Sequence, residues 1–491
     1  MARRRPPMPL VEAVEAYVRE GVVRFHMPGH KGGRGASPAI RRLLGERAFR
    51  ADVTSVEGLD DLQEPTGVLA AAQALAAAAF GADRSYFLVN GTSAGVQAMI
   101  LAATQPGGRL LLPRNMHKSA LAGLVLSGAW PVWLEPEREA DFGLALGVAP
   151  HRLEAALERG RAEALLLLSP NYYGVVPDLG AAAALARRRG LPLLVDEAHG
   201  PHFGFHPALP PPALRLGADA SAQGAHKLLG GLTQASLLHL RRGRLSEERV
   251  EGALRLLQST SASYLLMASL DAARAEMQER GRELVERAIR LADGLRAALG
   301  RVPGLRLLDR RVLGGPAAAW LDPLKVTVSV RDLGLSGREV ELILRRRHRI
   351  QVEMSDLFNV VLIVGSGNTE EETERLVRAF RRLAAEAPRL RRPETAALLE
   401  RAAALAGAPA PEVAVLPREA WFAAAERVEL EAARGRVAAE TVTSYPPGIP
   451  IVSPGERISG DVLDFLVTVR EAGLRLSGPA DPSLRTIRVL A

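Results

Sequence analysis

The feature that most restricts how this chain can fold is a series of unalternated apolar segments, separated by helical patterns, from about Thr66 to Asp196. Strand-like runs at Ser85 to Val89, Arg109 to Leu112, Pro131 to Leu134, Ala164 to Leu168 and Leu191 to Val195 alternate with helical stretches. Those stretches cover Gly67 to Phe80, begin again at Ser93 and near His117, and recur at Pro150 to Arg159 and Asp178 to Arg189. A strand apolar on both faces must be covered on both, and strands joined through helices run parallel. The region therefore predicts an α/β fold, a mainly parallel sheet between helical layers.

After Thr260 the pattern changes. A long helical stretch, Tyr264 to Leu299, is expected to break at Gly281 and Gly294. Strand-like Lys325 to Val330, a helix from Gly337 to Arg347, strands near Ile350 and at Val360 to Val364, and a helix from Glu370 to Ala385 predict a smaller α/β domain. Ala387 to Pro393 reads as a linker. A helical segment and the proline-rich loop Tyr445 to Gly455 then form a C-terminal α+β appendage. The expected division is an arm and major domain at 1–270, a small domain at 271–388 and a third at 394–491. No internal repeat is visible.

Composition narrows the function classes. The net charge of +8 invites a nucleic-acid reading, but arginines are interleaved with glutamates over Glu276 to Arg296 and aromatics make up only 4% of the chain, leaving little for base stacking. With no cysteine there is no disulfide framework, thiolate metal site or cysteine nucleophile. The basic start, Met1 to Pro7, is followed by an amphipathic stretch with Glu12 and Glu15 where a signal peptide would need an apolar core. No charge-free run approaches a membrane span. The expectation is a cytoplasmic enzyme with no nucleic-acid or membrane partner.

Only four lysines, Lys31, Lys118, Lys227 and Lys325, stand among 63 basic residues. Chemistry that needs a neutral primary amine has few places to sit, because a guanidinium stays protonated and cannot form an imine. Lys227 follows an apolar run ending in a carboxylate, Leu191 to Asp196. An aspartate at the carboxyl end of a parallel strand can hold a pyridine nitrogen protonated, and that order of strand, aspartate and lysine suggests a pyridoxal phosphate (PLP) site. The alternative is a cap or salt-bridge aspartate. Asn90-Gly91-Thr92-Ser93 follows a strand and opens a helix, where backbone N–H groups and two hydroxyls suit a phosphate; a plain glycine turn with a serine cap is equally consistent. No Gly-Lys-Ser/Thr occurs, so it is not a nucleotide P-loop, and Asp196-Glu197-Ala198-His199 is no helicase box. His199, His202 and His206 have no compact metal spacing, so no metal is expected. His117 could cover one face of the cofactor while Ala198 packs on the other, or could simply cap a helix.

Together these segments resemble the ornithine/lysine/arginine decarboxylases of the aspartate aminotransferase-like class (PLP fold type I), in the short bacterial form. The resemblance rests on Phe25 to Lys31, Asp52-Val53-Thr54, Gly58 to Leu62, Phe87 to Ser93, Asn115 to Ser119, Pro170 to Gly174, Asp196 to His199, His226-Lys227, Gln234-Ala235-Ser236 and Tyr445 to Gly448. It implies Lys227 as the lysine that holds PLP, Asp196 as partner of its ring nitrogen and His117 stacked on the ring. Asn90, Gly91, Thr92, Ser93, Ala198, His199 and His226 would complete the cofactor site. It also implies a homodimer, with the His26 to Lys31 segment near the partner subunit's cofactor, and decarboxylation of a basic amino acid. Arginine is favoured because Glu57, Asp60 and Asp61 could receive its forked donors; Asp60 and Asp61 as caps of the next turn is the alternative.

Two departures bear on activity. Relatives read Ser-Thr-His-Lys where this chain has Gly224-Ala225-His226-Lys227, and two consecutive acids before Gly-Arg where it has Ala432-Ala433-Arg434-Gly435-Arg436. Rival readings are an aminotransferase or other PLP lyase, and a catalytically weakened PLP-binding paralogue with a regulatory role.

Overall fold

The structure, a computed structural model, describes residues 5–405, 411–444, 449–471 and 476–491. The N-terminal Met1 to Arg4 and the Tyr445 to Gly448 part of the proline-rich loop lie outside the described residues. The chain forms two compact units, each discontinuous in sequence: residues 1–103 with 192–284, and 104–191 with 285–491.

In the first unit four strands pair in the order Arg84–Leu88, Ser236–Leu240, Ala220–Gln223, Leu193–Asp196. The last two are parallel, with Val195 opposite Ser221, while Ser236–Leu240 runs antiparallel to both its neighbours. These directions decide where chemistry can gather. The ends of Leu193–Asp196 and Ala220–Gln223, the start of Ser236–Leu240 and the end of Arg84–Leu88 all fall on one edge. The helix Val68–Phe80 is alanine-rich, which costs the least helix propensity, and buries Leu69, Ala72, Gln73, Ala76 and Ala77 as one face.

In the second unit the strands Ala164–Leu168, Arg109–Pro113 and Trp130–Leu134 pair in that order and run parallel. Ala164–Leu168 is buried along its whole length, as an unalternated Ala-Leu-Leu-Leu-Leu run requires. A smaller antiparallel sheet orders Arg306–Leu307, Lys325–Ser329, Asn359–Ile363 and Met354–Ser355. Its core includes Val326, Val328, Val360, Phe380 and Leu383. The C-terminal part pairs Ala425–Glu429 with Thr486–Leu490 and packs the helix Gly460–Glu471, through Leu463 and Leu466, into a core with Leu430, Val442 and Ile487.

Three expectations need correction. Tyr264–Leu299 is one unbroken 36-residue helix. Gly281 lies in it because a Cβ would stand 3.1 Å from the Phe205 Cβ, so the glycine serves close packing, not a break. The expected linker is largely helical: Glu370–Leu390 runs through Pro388, with Leu383 and Ala387 buried, and only Arg391 and Arg392 separate it from the helix Pro393–Leu405. Ile350 lies outside any strand; the short strand is Met354–Ser355. No described helix is long and apolar enough to cross a membrane.

Candidate active site

Asp196 ends its strand with its side chain buried. Burial pushes its carboxyl pKa up, opposed by the Ala198 N–H donated to Oδ1 at 3.2 Å and by the charge of Lys227. Lys227 lies in the short helix Ala225–Leu228 that follows the neighbouring parallel strand, so strand direction alone brings the two residues to one edge. The Lys227 Nζ is 2.7 Å from His199 Nε2. His226 donates Nδ1–H to the Ala235 carbonyl at 3.0 Å, which fixes its ring.

The turn before the helix Gly91–Ala103 reaches the same edge. Gly91 has φ +73°, a conformation glycine adopts without cost. Thr92 Oγ1 lies 3.0 Å from Ser236 Oγ. Asn90 donates from its amide to the Leu257 carbonyl at 3.3 Å, tying the turn to the end of the helix Glu247–Leu257. Gly224 accounts for the missing hydroxyl. A Cβ there would stand 2.8 Å from the Ala198 carbonyl oxygen and 3.2 Å from Thr92 Oγ1, so this backbone has room for glycine only.

Beside Asp196, Glu197 is also buried but differently occupied. It accepts the Ala213 N–H at 2.8 Å, the Ser221 hydroxyl at 2.6 Å and the Gln223 amide at 2.8 Å. Gln223 Oε1 is 3.2 Å from His239 Nε2, and His239 Nδ1 is 2.6 Å from Ser85 Oγ, so a buried polar chain crosses the four strands. Burial pushes the Glu197 carboxyl up to about 7 and His239 down to about 3. The one sequence signal for this polar chain is a histidine in the apolar strand Ser-Leu-Leu-His-Leu.

In the second unit His117 caps the helix Lys118–Ser127, with Nδ1 accepting the Ser119 N–H at 3.2 Å. A neutral ring then carries its proton on Nε2. Arg114, three residues earlier, forms a largely buried two-pronged pair with Glu456, a partner too distant in sequence to leave a local signal.

The suspected substrate residues are placed as follows. Asp60, at φ +73°, accepts backbone N–H groups from Asp61, Thr66, Gly67, Leu69 and Ala70, and thereby caps the helix Val68–Phe80, whose own Gly67 cap has no side chain. Asp61 accepts the Gln63 N–H at 2.8 Å, and Glu57 is exposed. His26 Nε2 is 2.6 Å from the Tyr17 hydroxyl, and Lys31 donates to the His26 carbonyl. Among the described residues no three histidine or acidic side chains form a metal site.

The family model for the Orn/Lys/Arg decarboxylase major domain matches residues 8–372, and that for the C-terminal domain residues 399–480. The chain belongs to the Orn/Lys/Arg decarboxylase family. An arginine decarboxylase of Bacillus subtilis is 40% identical over 98% of this chain and 97% of its own, and one of Halalkalibacterium halodurans 41% over 99% and 98%. The solved structure of lysine decarboxylase A from Pseudomonas aeruginosa superposes with a TM-score of 0.84, covering 98% of this chain and 80% of that one at 24% identity, which supports the aminotransferase-like fold. Members of this family are PLP-dependent amino acid decarboxylases, and so is this protein. Its residues fit the cofactor: a buried carboxylate with little hydrogen bonding of its own, an amine on the same edge, and a hydroxyl-bearing helix start facing a position where a Cβ would collide.

Proposed function

We propose that the protein decarboxylates arginine, releasing CO2 and the corresponding amine. Full-length similarity of about 40% to arginine decarboxylases supports the substrate; the observation that carries the mechanism is the buried Asp196 sharing one sheet edge with Lys227. When bound, PLP supplies an electron sink for the pair left behind by CO2. In this reading Asp196 keeps a proton on the ring nitrogen, which a low-dielectric site makes more effective. Lys227 holds the cofactor between turnovers and handles the proton at the α-carbon, with His199 beside its Nζ to orient the amine. Asn90, Gly91, Thr92, Ser93 and His226 would hold the phosphate, and Ala198 and His117 would pack against the ring.

For the substrate's cationic far end we retain Glu57 and Asp61, with His26 and Lys31 as further substrate candidates. Asp60 is better read as a cap, since five N–H groups occupy its carboxylate. A cytoplasmic homodimer and a three-part division at 1–270, 271–388 and 394–491 complete the proposal. Incubating PLP-loaded protein separately with arginine, lysine and ornithine, then identifying the amine and measuring CO2, tests it. Arginine should give the highest kcat/KM without any 2-oxo acid acceptor; preference for lysine or ornithine would overturn the substrate.

A further inference from the structure

The turn that presents His117 is held from the C-terminal part of the chain. The strand Arg109–Pro113 ends one residue before Arg114, whose N–H donates to the Leu134 carbonyl at 2.9 Å. The guanidinium lies over the Trp133 ring, 4.8 Å from its centroid, and donates through both terminal nitrogens to the two oxygens of Glu456. One of those nitrogens also donates to the Ile451 carbonyl at 2.8 Å. Glu456 is buried and Arg114 nearly so, at 2% and 11% exposure, so solvent does little to screen the pair.

Glu456 is itself held rigidly. Its Oε2 accepts the Ser453 N–H at 2.8 Å, and the preceding Gly455, at φ +88°, accepts N–H groups from Ala414 and Val415; a Cβ there would stand 2.2 Å from the Val415 carbonyl. The other end of the His117 helix is gripped from the same part of the chain. Arg418, in the helix Pro417–Phe422, donates to the Leu126 carbonyl at 2.8 Å beside the Gly128 cap. A helix fixed at both ends leaves its first residue little freedom. A fork of two parallel N–H···O bonds fixes angle as well as distance.

We propose that Glu456 is a positioning residue for the decarboxylase reaction: through its two-pronged pair with Arg114 it fixes the turn that aims His117. This rests on the reading of His117 as the residue covering the cofactor. It gives the C-terminal domain a part in the reaction without any of its residues touching substrate.

The test is a double-mutant cycle on the full-length, PLP-loaded protein with Glu456→Gln, His117→Ala and both together, followed by kcat, KM and the visible circular dichroism of the bound cofactor. Glu456→Gln keeps shape but loses the second charged acceptor. It should lower kcat about tenfold to a hundredfold, the cost of a small displacement remote from the chemistry, with KM changed less than about threefold. It should also alter the visible dichroism and add nothing to the loss in the His117→Ala background, because coupled residues are not additive. Should Glu456→Gln fail to retain PLP, Arg114→Lys replaces it in the cycle, since it keeps the charge and loses the fork. An unaffected His117→Ala protein overturns the reading of His117 and this inference with it. A slowed His117→Ala protein beside an unaffected partner-pair variant, or losses that simply add, overturns this inference alone.

Discussion

Asp196 and Asp60 are both aspartates in the same unit, and both stood out in the sequence as functional, yet their surroundings are opposite. Asp60 accepts from five backbone N–H groups, and these outweigh partial burial to hold its pKa below the ordinary value. Asp196 accepts from one, and burial holds its pKa above it. A carboxylate already saturated by its own backbone has no acceptor capacity left for a ligand; a buried one with a single N–H destabilises the empty fold and favours a proton or a cationic partner. The difference separates a residue that builds the structure from one suited to chemistry, and it can be broken by exchange of properties.

The largest effect expected is on turnover. Asp196→Ala should lower kcat at least about a hundredfold, roughly 2.7 kcal/mol of barrier, in protein shown to retain PLP. Its melting temperature should be unchanged or higher, because a buried carboxylate is removed. Asp60→Ala should do the reverse: a loss of about 1–2 kcal/mol of stability, as for other helix caps, with kcat and KM for arginine within about twofold. A large rise in KM on Asp60→Ala, with stability intact, would erase the distinction between the two aspartates.

Next in size is the cofactor cradle. Gly224→Ser would restore the hydroxyl found in relatives, yet its Cβ would lie 2.8 Å from the Ala198 carbonyl oxygen. Equilibrium dialysis should show PLP binding weakened about tenfold, near 1.4 kcal/mol. Tighter binding would mean that this turn yields and that glycine marks a weakened paralogue.

Glu197 supplies an intermediate case between the two aspartates, being buried like Asp196 but hydrogen-bonded like Asp60. Burial, the larger influence, raises its pKa from the ordinary 4.5 to about 7 against three hydrogen bonds. The folded state therefore keeps this proton over a range in which the unfolded chain releases it. Its contribution to stability is complete below about pH 4.5 and is lost as pH rises towards 7. Glu197→Gln should flatten that part of the melting-temperature profile; a profile identical to the parent's would show that Glu197 does not titrate there.

Much of this was readable in the sequence because it is local. Ala164–Leu168 emerged with its bounds intact, since a run of leucine has no polar face to mislead, and the helix expected over Asp178 to Arg189 forms as Leu179–Arg188, with Asp178 as its cap. What escaped notice depends on contacts across the chain. Gly281 looks like a break until Phe205 is seen against it, and Pro388 like a linker until the buried face through Ala387 is known. The cap formed by Asp60 spans ten residues and a left-handed turn, beyond the usual spacing, so the same acid could equally be read as a substrate contact. The Arg114 and Glu456 pair has no local signature at all.

The central claim is that Lys227, beside Asp196, holds the cofactor. Borohydride reduction of the PLP-loaded protein followed by peptide mapping tests it directly. A stable pyridoxyl adduct is expected on Lys227 in the peptide that contains His226. An adduct on Lys31, Lys118 or the buried Lys325 in its place would contradict it.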